Sequence, residues 1–236
     1  MTETLRRIST EVIHCRACPR LVAYRERVAR EKRRAYRDRE YWGRPVPGFG
    51  DAEARLIIVG LAPGAHGSNR TGRMFTGDSS GDTLYAALHP FRFASQPHSI
   101  SRDDGLKLTD SFITAAVRCA PPENRPAPDE FAACLPFLVR ELRLLRRARV
   151  YLALGHAAFG ALTRALPAVG VTMPKAARFK HGARISLGDG SRWLLCSYHP
   201  SRQNTQTGRL TTPMFHSVFR KARTLTGGGD GPAPSG

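Results

Sequence analysis

Short apolar runs alternate along the chain with stretches whose apolar residues recur at helical spacing. Residues 56–59 (LIIV), 110–117 (DSFITAAV) and 150–154 (VYLAL) are nearly continuous in apolar character, as expected of strands covered on both faces. Residues 185–187 and 193–198 flank GDGS and predict a hairpin or late strand pair. Leu5, Ile8, Val12 and Ile13 mark an opening helix, and another begins near Ser79 or Ser80. A third starts at Asp129 or Glu130, carries Cys134, Leu135, Leu138, Leu142 and Leu145, and ends near Arg149. Residues 155–165 and a segment through Phe215 and Phe219 to Arg223 complete the helices. The alternation predicts an α/β three-layer sandwich with a largely parallel central sheet and with functional loops at the strand C-termini. Residues 1–225 read as a single domain and 226–236 as a disordered tail.

Composition narrows the partner. The 236 residues hold 37 Lys plus Arg against 19 Asp plus Glu, a formal charge of +18, which favours a polyanion such as nucleic acid. Coding bias explains why only five of the 37 are lysines, but not why so few acids balance them. The arginine-dense helix over residues 25–39 reads as a solvated face, and YWGRPVPGFG at 41–50 as a loop. No apolar run approaches the roughly 18 residues of a membrane span. Residues 1–10 have no signal-peptide pattern, so a cytoplasmic protein is expected.

The densest chemistry lies at 59–84, VGLAPGAHGSNRTGRMFTGDSSGDTL, where a strand empties into a glycine-rich loop before a helix. Such a loop lets a ligand approach the backbone, and Asn69, Arg70, Arg73, Asp78 and Asp82 supply polar groups. The plainer reading is an ordinary strand-to-helix connection. Cys15 and Cys18 form a C-x2-C that precedes any strand, which argues against a thioredoxin-type redox pair. With Cys119 and Cys134 they can make a tetrathiolate site for zinc or an iron–sulfur cluster, and the wide later spacing favours the cluster. Four buried core cysteines are the alternative. Cys196, within WLLCSY, reads as a small core hydrophobe.

GLAPGAHGSNRTGRMFTGDSSG, RCAPPENRP and HPSRQNTQTGRLT, together with the C-x2-C opening, resemble the type 5 uracil-DNA glycosylases, the iron–sulfur branch of the uracil-DNA glycosylase superfamily in bacteria and archaea. The resemblance runs from about His14 to Arg223. It implies a monomer that flips uracil and other deaminated or damaged bases out of double-stranded DNA and hydrolyses the N-glycosidic bond. It also implies a structural [4Fe–4S] cluster on Cys15, Cys18, Cys119 and Cys134. A non-catalytic iron–sulfur nucleic-acid-binding protein is the alternative.

That chemistry develops positive charge on the sugar and negative charge on the leaving base, and it needs a water. Leu61 and Ala62 stand where related enzymes carry a water-positioning polar residue, a departure typical of the type 5 branch. The resemblance makes Asp78 the group that orients water or stabilises the cation, although Asp is also a favoured helix cap. His199 would donate to the base oxygen, Asn124 would read the base edge or help place water, and Phe75 would stack on the flipped base. Gly60 and Ala62 complete the expected base pocket. Ser201, Arg202, Gln203, Asn204, Thr205 and Arg209 lie in an acid-free loop suited to DNA contacts.

Overall fold

The computed structural model describes residues 3–188 and 190–227. Helices α1 (Leu5–His14) and α2 (Pro19–Glu31) come first, followed by the short strand β1 (Phe49–Gly50). The next elements are β2 (Leu56–Gly60), α3 (Ser68–Thr71), α4 (Ser79–Leu88) and β3 (Ser111–Ala115). They lead to α5 (Pro128–Leu144), β4 (Val150–Leu154) and α6 (His156–Ala165). The antiparallel pair β5 (Arg184–Leu187) and β6 (Arg192–Ser197) precedes α7 (Arg202–Gln206) and α8 (Thr212–Leu225).

The six strands form one sheet in the order β1-β3-β2-β4-β6-β5, parallel through its four middle strands and antiparallel at both edges. Strand side chains alternate between two faces, so each middle strand must be apolar throughout. Leu56, Ile58, Ile113, Leu152 and Leu195 pack on one face with Leu84 and Leu88 of α4 and Phe215 and Phe219 of α8. Ile57, Val59, Phe112, Tyr151 and Leu194 pack on the other with Leu138 and Leu142 of α5 and Phe159 and Leu162 of α6. This is the expected three-layer α/β sandwich. Among the described residues, no helix is long and apolar enough to cross a membrane.

Several local expectations are corrected. α5 stops at Leu144 rather than near Arg149, because Leu145 leaves the helix and is buried, while the Arg149 and Val150 amides both donate to Arg55 O at 2.9 Å. The arginine-rich helix ends at Glu31, where Lys32 adopts φ 53°. Nor is its face wholly solvated, since Arg25 is 2% exposed. Phe49–Gly50, expected in a loop, pairs with Phe112 and Ile113. Of the expected tail, Thr226 is buried as the cap of α8, and residues 228–236 lie outside those described.

A buried charge pair ties the layers together at the functional end. Glu141 of α5 accepts from Arg118 Nη2 at 2.6 Å and from Thr114 Oγ1 of β3 at 2.7 Å, and both members of the ion pair are nearly inaccessible. Removing one partner strands the other charge in a medium of low polarity, a loss of about 3–5 kcal/mol. Glu141→Ala is expected to destabilise the fold by that amount in a urea melt. Glu141→Gln, which keeps an acceptor, is expected to lose less.

Candidate active site

Phe75, Asp78, Asn124 and His199, which come from three separate loops, line one cleft of about 440 Å³ together with Ala62, Ser201 and Gln203. All three loops leave the C-terminal ends of parallel strands, where the sheet's topology leaves room for a ligand.

Phe75 is held in an uncommon conformation. Its φ is 51°, a left-handed value that an aromatic residue adopts only when its surroundings dictate it. Those surroundings are polar and buried. Tyr85 Oη donates to Met74 O at 3.0 Å, and Thr76 Oγ1 bonds to both Met74 O and Ser99 Oγ. Arg73 donates to Thr76 Oγ1, to Ser99 Oγ and to Asp104. The ring then lies over Gly60, where a Cβ would stand 2.8 Å from Phe75 Cζ. Gly60 therefore seats the aromatic instead of lining the cleft. The Phe75 ring also stacks on His199, with centroids 5.8 Å apart and planes 30° apart.

Asp78 holds two positions at once. Its Oδ1 caps α4, accepting from the amides of Ser80 at 3.1 Å and Gly81 at 3.0 Å. A Cβ at Gly67 would overlap Oδ2, so only glycine permits the carboxylate to lie against this loop. Oδ2 has no protein donor among the described residues. Burial, which outweighs the two amide donors, raises the Asp78 pKa above its ordinary value. The cap expected of Asp78 is thus observed through Oδ1, and Oδ2 is left available for chemistry.

His199 follows the buried end of β6, and its carbonyl accepts from Asn204 Nδ2 at 2.8 Å. Burial lowers its pKa to about 4, so the ring is neutral at physiological pH and carries one N–H donor. Asn124 sits on the cleft rim in an exposed turn where Glu123 and Asn124 both have positive φ, 53° and 55°. Glu123 also lines the cleft but faces solvent beside Arg125, and sequence reasoning did not single it out.

The segment after His199, expected as a loop, contains the short helix α7. Ser201 caps the single turn of α7, and Thr205 Oγ1 bonds back to Ser201 O at 3.3 Å. Asn204 and Thr205 therefore brace the loop, whereas Arg202 and Gln203 are exposed. Arg209 is exposed and stacks over Tyr198 at 4.6 Å.

The four expected thiols converge behind the cleft. Cys15 caps the end of α1, Cys18 precedes α2, Cys119 follows β3 and Cys134 lies in α5. Cys119 and Cys134 pack with Leu21 and Val117, and Ala62 bridges this cluster to the cleft. Burial first, then mutual proximity, pushes the Cys18 thiol up to about 11 and raises Cys134. Burial likewise pushes Cys119 up to about 12. Among the described residues, no three His, Cys, Asp or Glu side chains are grouped as ligands of one metal ion. Two buried cations flank the thiols, Arg25 beside Cys119 and Arg118 beside Cys134. Arg25 Nε and Arg118 Nε and Nη1 are buried without a hydrogen-bond partner. Unmet donors around a thiol nest fit an anionic occupant, such as a cluster held by four thiolates. Cys196 is fully buried in β6, as expected of a packing residue.

Residues 47–223 match a sequence model of the Uracil DNA glycosylase superfamily. A type-5 uracil-DNA glycosylase of Thermus thermophilus is 56% identical over 213 residues, covering 90% of this chain and 94% of its own length. One from Pyrobaculum aerophilum is 45% identical over 216 residues, covering 92% and 91%. A type-4 uracil-DNA glycosylase of the same organism is 31% identical over 192 residues, covering 80% and 85%.

Because the folded protein favours neutral His199, the unfolded chain binds the extra proton first as the pH falls below about 6.5. Stability from this group is present above that value and is lost as the pH falls toward about 4. An NMR titration of the His199 ring is expected to show its midpoint near 4. A midpoint near 6.5 would mean that the ring is solvated.

Proposed function

The chain belongs to the uracil-DNA glycosylase superfamily, in its type-5 branch, and on that premise we propose that it removes uracil from double-stranded DNA by hydrolysing the N-glycosidic bond, leaving an abasic site. The observation that carries this reading is the convergence of Phe75, Asp78, Asn124 and His199 on one cleft. A base inside a duplex cannot reach such a cleft, so the nucleotide must be extruded into it.

Once extruded, the base stacks on Phe75, whose strained backbone and glycine seat fix the ring before substrate arrives. As the bond from C1′ to the base nitrogen breaks, negative charge moves onto the base. His199, neutral and partly desolvated, donates its N–H to the base oxygen that gains this charge. The sugar becomes cationic at C1′. Asp78 Oδ2, the oxygen not spent on the helix, stabilises that cation and accepts a proton from the water that adds hydroxide to C1′. The released base takes a proton from solvent. Asn124 at the rim hydrogen-bonds the base edge or the water. Leu61 and Ala62 present no polar side chain there, which supports acceptance of deaminated or damaged bases besides uracil. The +18 charge and the exposed Arg202, Gln203 and Arg209 support DNA binding beside the cleft.

Cys15, Cys18, Cys119 and Cys134 would hold a [4Fe–4S] cluster, with Arg25 and Arg118 offsetting its negative charge. The cluster would supply a covalent tie between the α1–α2 junction and the loop that carries Asn124. The purified protein is expected to absorb near 400 nm and to contain about four irons, and Cys134→Ser to lose both and melt at lower temperature. A colourless, iron-free, fully stable wild type would remove the cluster.

Asp78→Asn keeps an acceptor for the α4 amides but cannot take a proton. It is expected to slow uracil release by about a hundredfold or more in single-turnover assays while the helix still melts cooperatively. In the wild type the rate is expected to fall on acidification with a midpoint above that of an ordinary carboxylate, following the raised Asp78 pKa. An Asp78→Asn variant with wild-type rates would reduce Asp78 to a cap.

A further inference from the structure

Among the described residues, Ile100 is the large hydrophobic side chain left in solvent, 65% exposed. It belongs to a loop, 95–107, whose ends are closed by Ser95 N donating to Lys107 O and Lys107 N donating to Ser95 Oγ, both at 2.9 Å. A lone exposed isoleucine is ordinarily unremarked. Here the loop around it is rigid. Asp104 Oδ2 accepts from the Ile100 amide at 2.8 Å and the Ser101 amide at 3.3 Å, and Oδ1 accepts from Leu106 N at 3.0 Å. Arg73 grips Asp104 in a buried ion pair and donates to Arg102 O at 3.1 Å.

The same loop is bolted to the cleft. Ser99, fully buried, accepts from Gly77 N at 2.8 Å, and Gly77 lies between Thr76 and Asp78. Ile100 thus follows directly on the residue that anchors the loop to the Phe75–Asp78 turn. Beyond it, Ser101, Arg102 and Asp103 form one wall of a groove of about 510 Å³ whose other walls include Arg39, Trp42 and Arg44. The Arg102 guanidinium lies 4.8 Å from the Trp42 ring centroid and that of Arg44 5.6 Å. Stacking on a shared indole pre-orients both cations and lowers the entropy lost when they meet phosphates. An ordered apolar tip, tied through Ser99 to the turn that carries Phe75 and Asp78 and continuous with a cationic groove, has the layout of a wedge with a backbone track beside it.

We propose that loop 95–107 is a second DNA-contacting element, with Ile100 pressing against the base stack beside the extruded nucleotide and Arg39, Arg44 and Arg102 around Trp42 carrying the phosphates of the adjoining duplex arm. This rests on the glycosylase reading and adds to it what keeps the duplex open. Ile100 acts as a positioning residue. Its effect should fall on extrusion, so it should be felt where uracil is paired and little where uracil is already unstacked.

The test compares single-turnover uracil release from a fully paired duplex and from the same sequence with the uracil in an unpaired bubble. Ile100→Ala is expected to lower the ratio of paired to bubble rates about tenfold, and Ile100→Leu to restore it. Because the side chain is exposed, neither change should move the melting temperature. Duplex binding tests the groove without reference to chemistry. Arg102→Ala is expected to weaken binding and to reduce the slope of log affinity against log salt by about one. An unchanged rate ratio in Ile100→Ala would overturn the wedge, and an unchanged salt slope in Arg102→Ala would overturn the groove. A wild type that binds duplex but releases no uracil would sink the glycosylase reading, while the slope change would still uphold the surface.

Discussion

One carboxylate is shared between a helix and a cleft, and the site depends on that sharing. The first amides of α4 need an acceptor, and Asp78 Oδ1 provides it. Satisfying the helix fixes the side chain's rotamer, which leaves Oδ2 aimed into the glycine loop with no freedom to turn away. The position of the oxygen proposed to react is therefore set by the folding of α4, not by contact with substrate. Phe75 is treated in the same manner. Its left-handed backbone is enforced by the Arg73, Thr76, Ser99 and Asp104 network, which is buried and closely satisfied. A site built this way has lost its conformational entropy before DNA arrives.

The region behind the cleft follows the opposite rule, because its polar groups are not satisfied by the protein alone. Arg118 spends one nitrogen on Glu141 and keeps two buried donors unmet, and Arg25 keeps one. Burial raises the proton affinity of Cys18, Cys119 and Cys134, and the guanidinium groups stand beside Cys119 and Cys134. Buried cations without full partners are costly unless an anion completes them. A cluster ligated by the proposed cysteines would supply such an anion and would tie the N-terminal helices covalently to the sheet. Ala62 touches both regions, so a change in the thiol nest is one residue away from the base pocket.

Specificity and catalysis fall to different parts of the loops. Of the groups proposed to meet the base, Phe75 and Asp78 are fixed by buried or capping bonds. Those turned to solvent around them, Arg102, Arg202, Gln203 and Arg209, are long and suited to a backbone whose phosphates repeat regardless of sequence. This division lets an enzyme search DNA through weak, salt-dependent contacts while the chemistry stays fixed.

The amino-acid sequence by itself determined the layers. Continuous apolar runs at 56–59 and 150–154 can be stable only between two layers of helices, and the 3.6-residue period of Leu138 and Leu142 or Phe215 and Phe219 shows which faces those helices bury. It also marked Asp78, His199 and Phe75 through loop motifs that resemble those of the type 5 enzymes, and the four cysteines through a C-x2-C with two later thiols. The tertiary structure alone decided what depends on distant neighbours. Arg25 read as part of a solvated face and Arg118 carried no assignment, yet both are buried, since burial is set by residues far away in the chain. Gly60 was expected to line the pocket and instead seats Phe75, a distinction of a few ångströms that no spacing encodes. Ile100 carried no signal at all: a single isoleucine in a polar stretch stands out only when Ser99 is bonded to Gly77 and the loop is tied to the turn that carries Phe75 and Asp78.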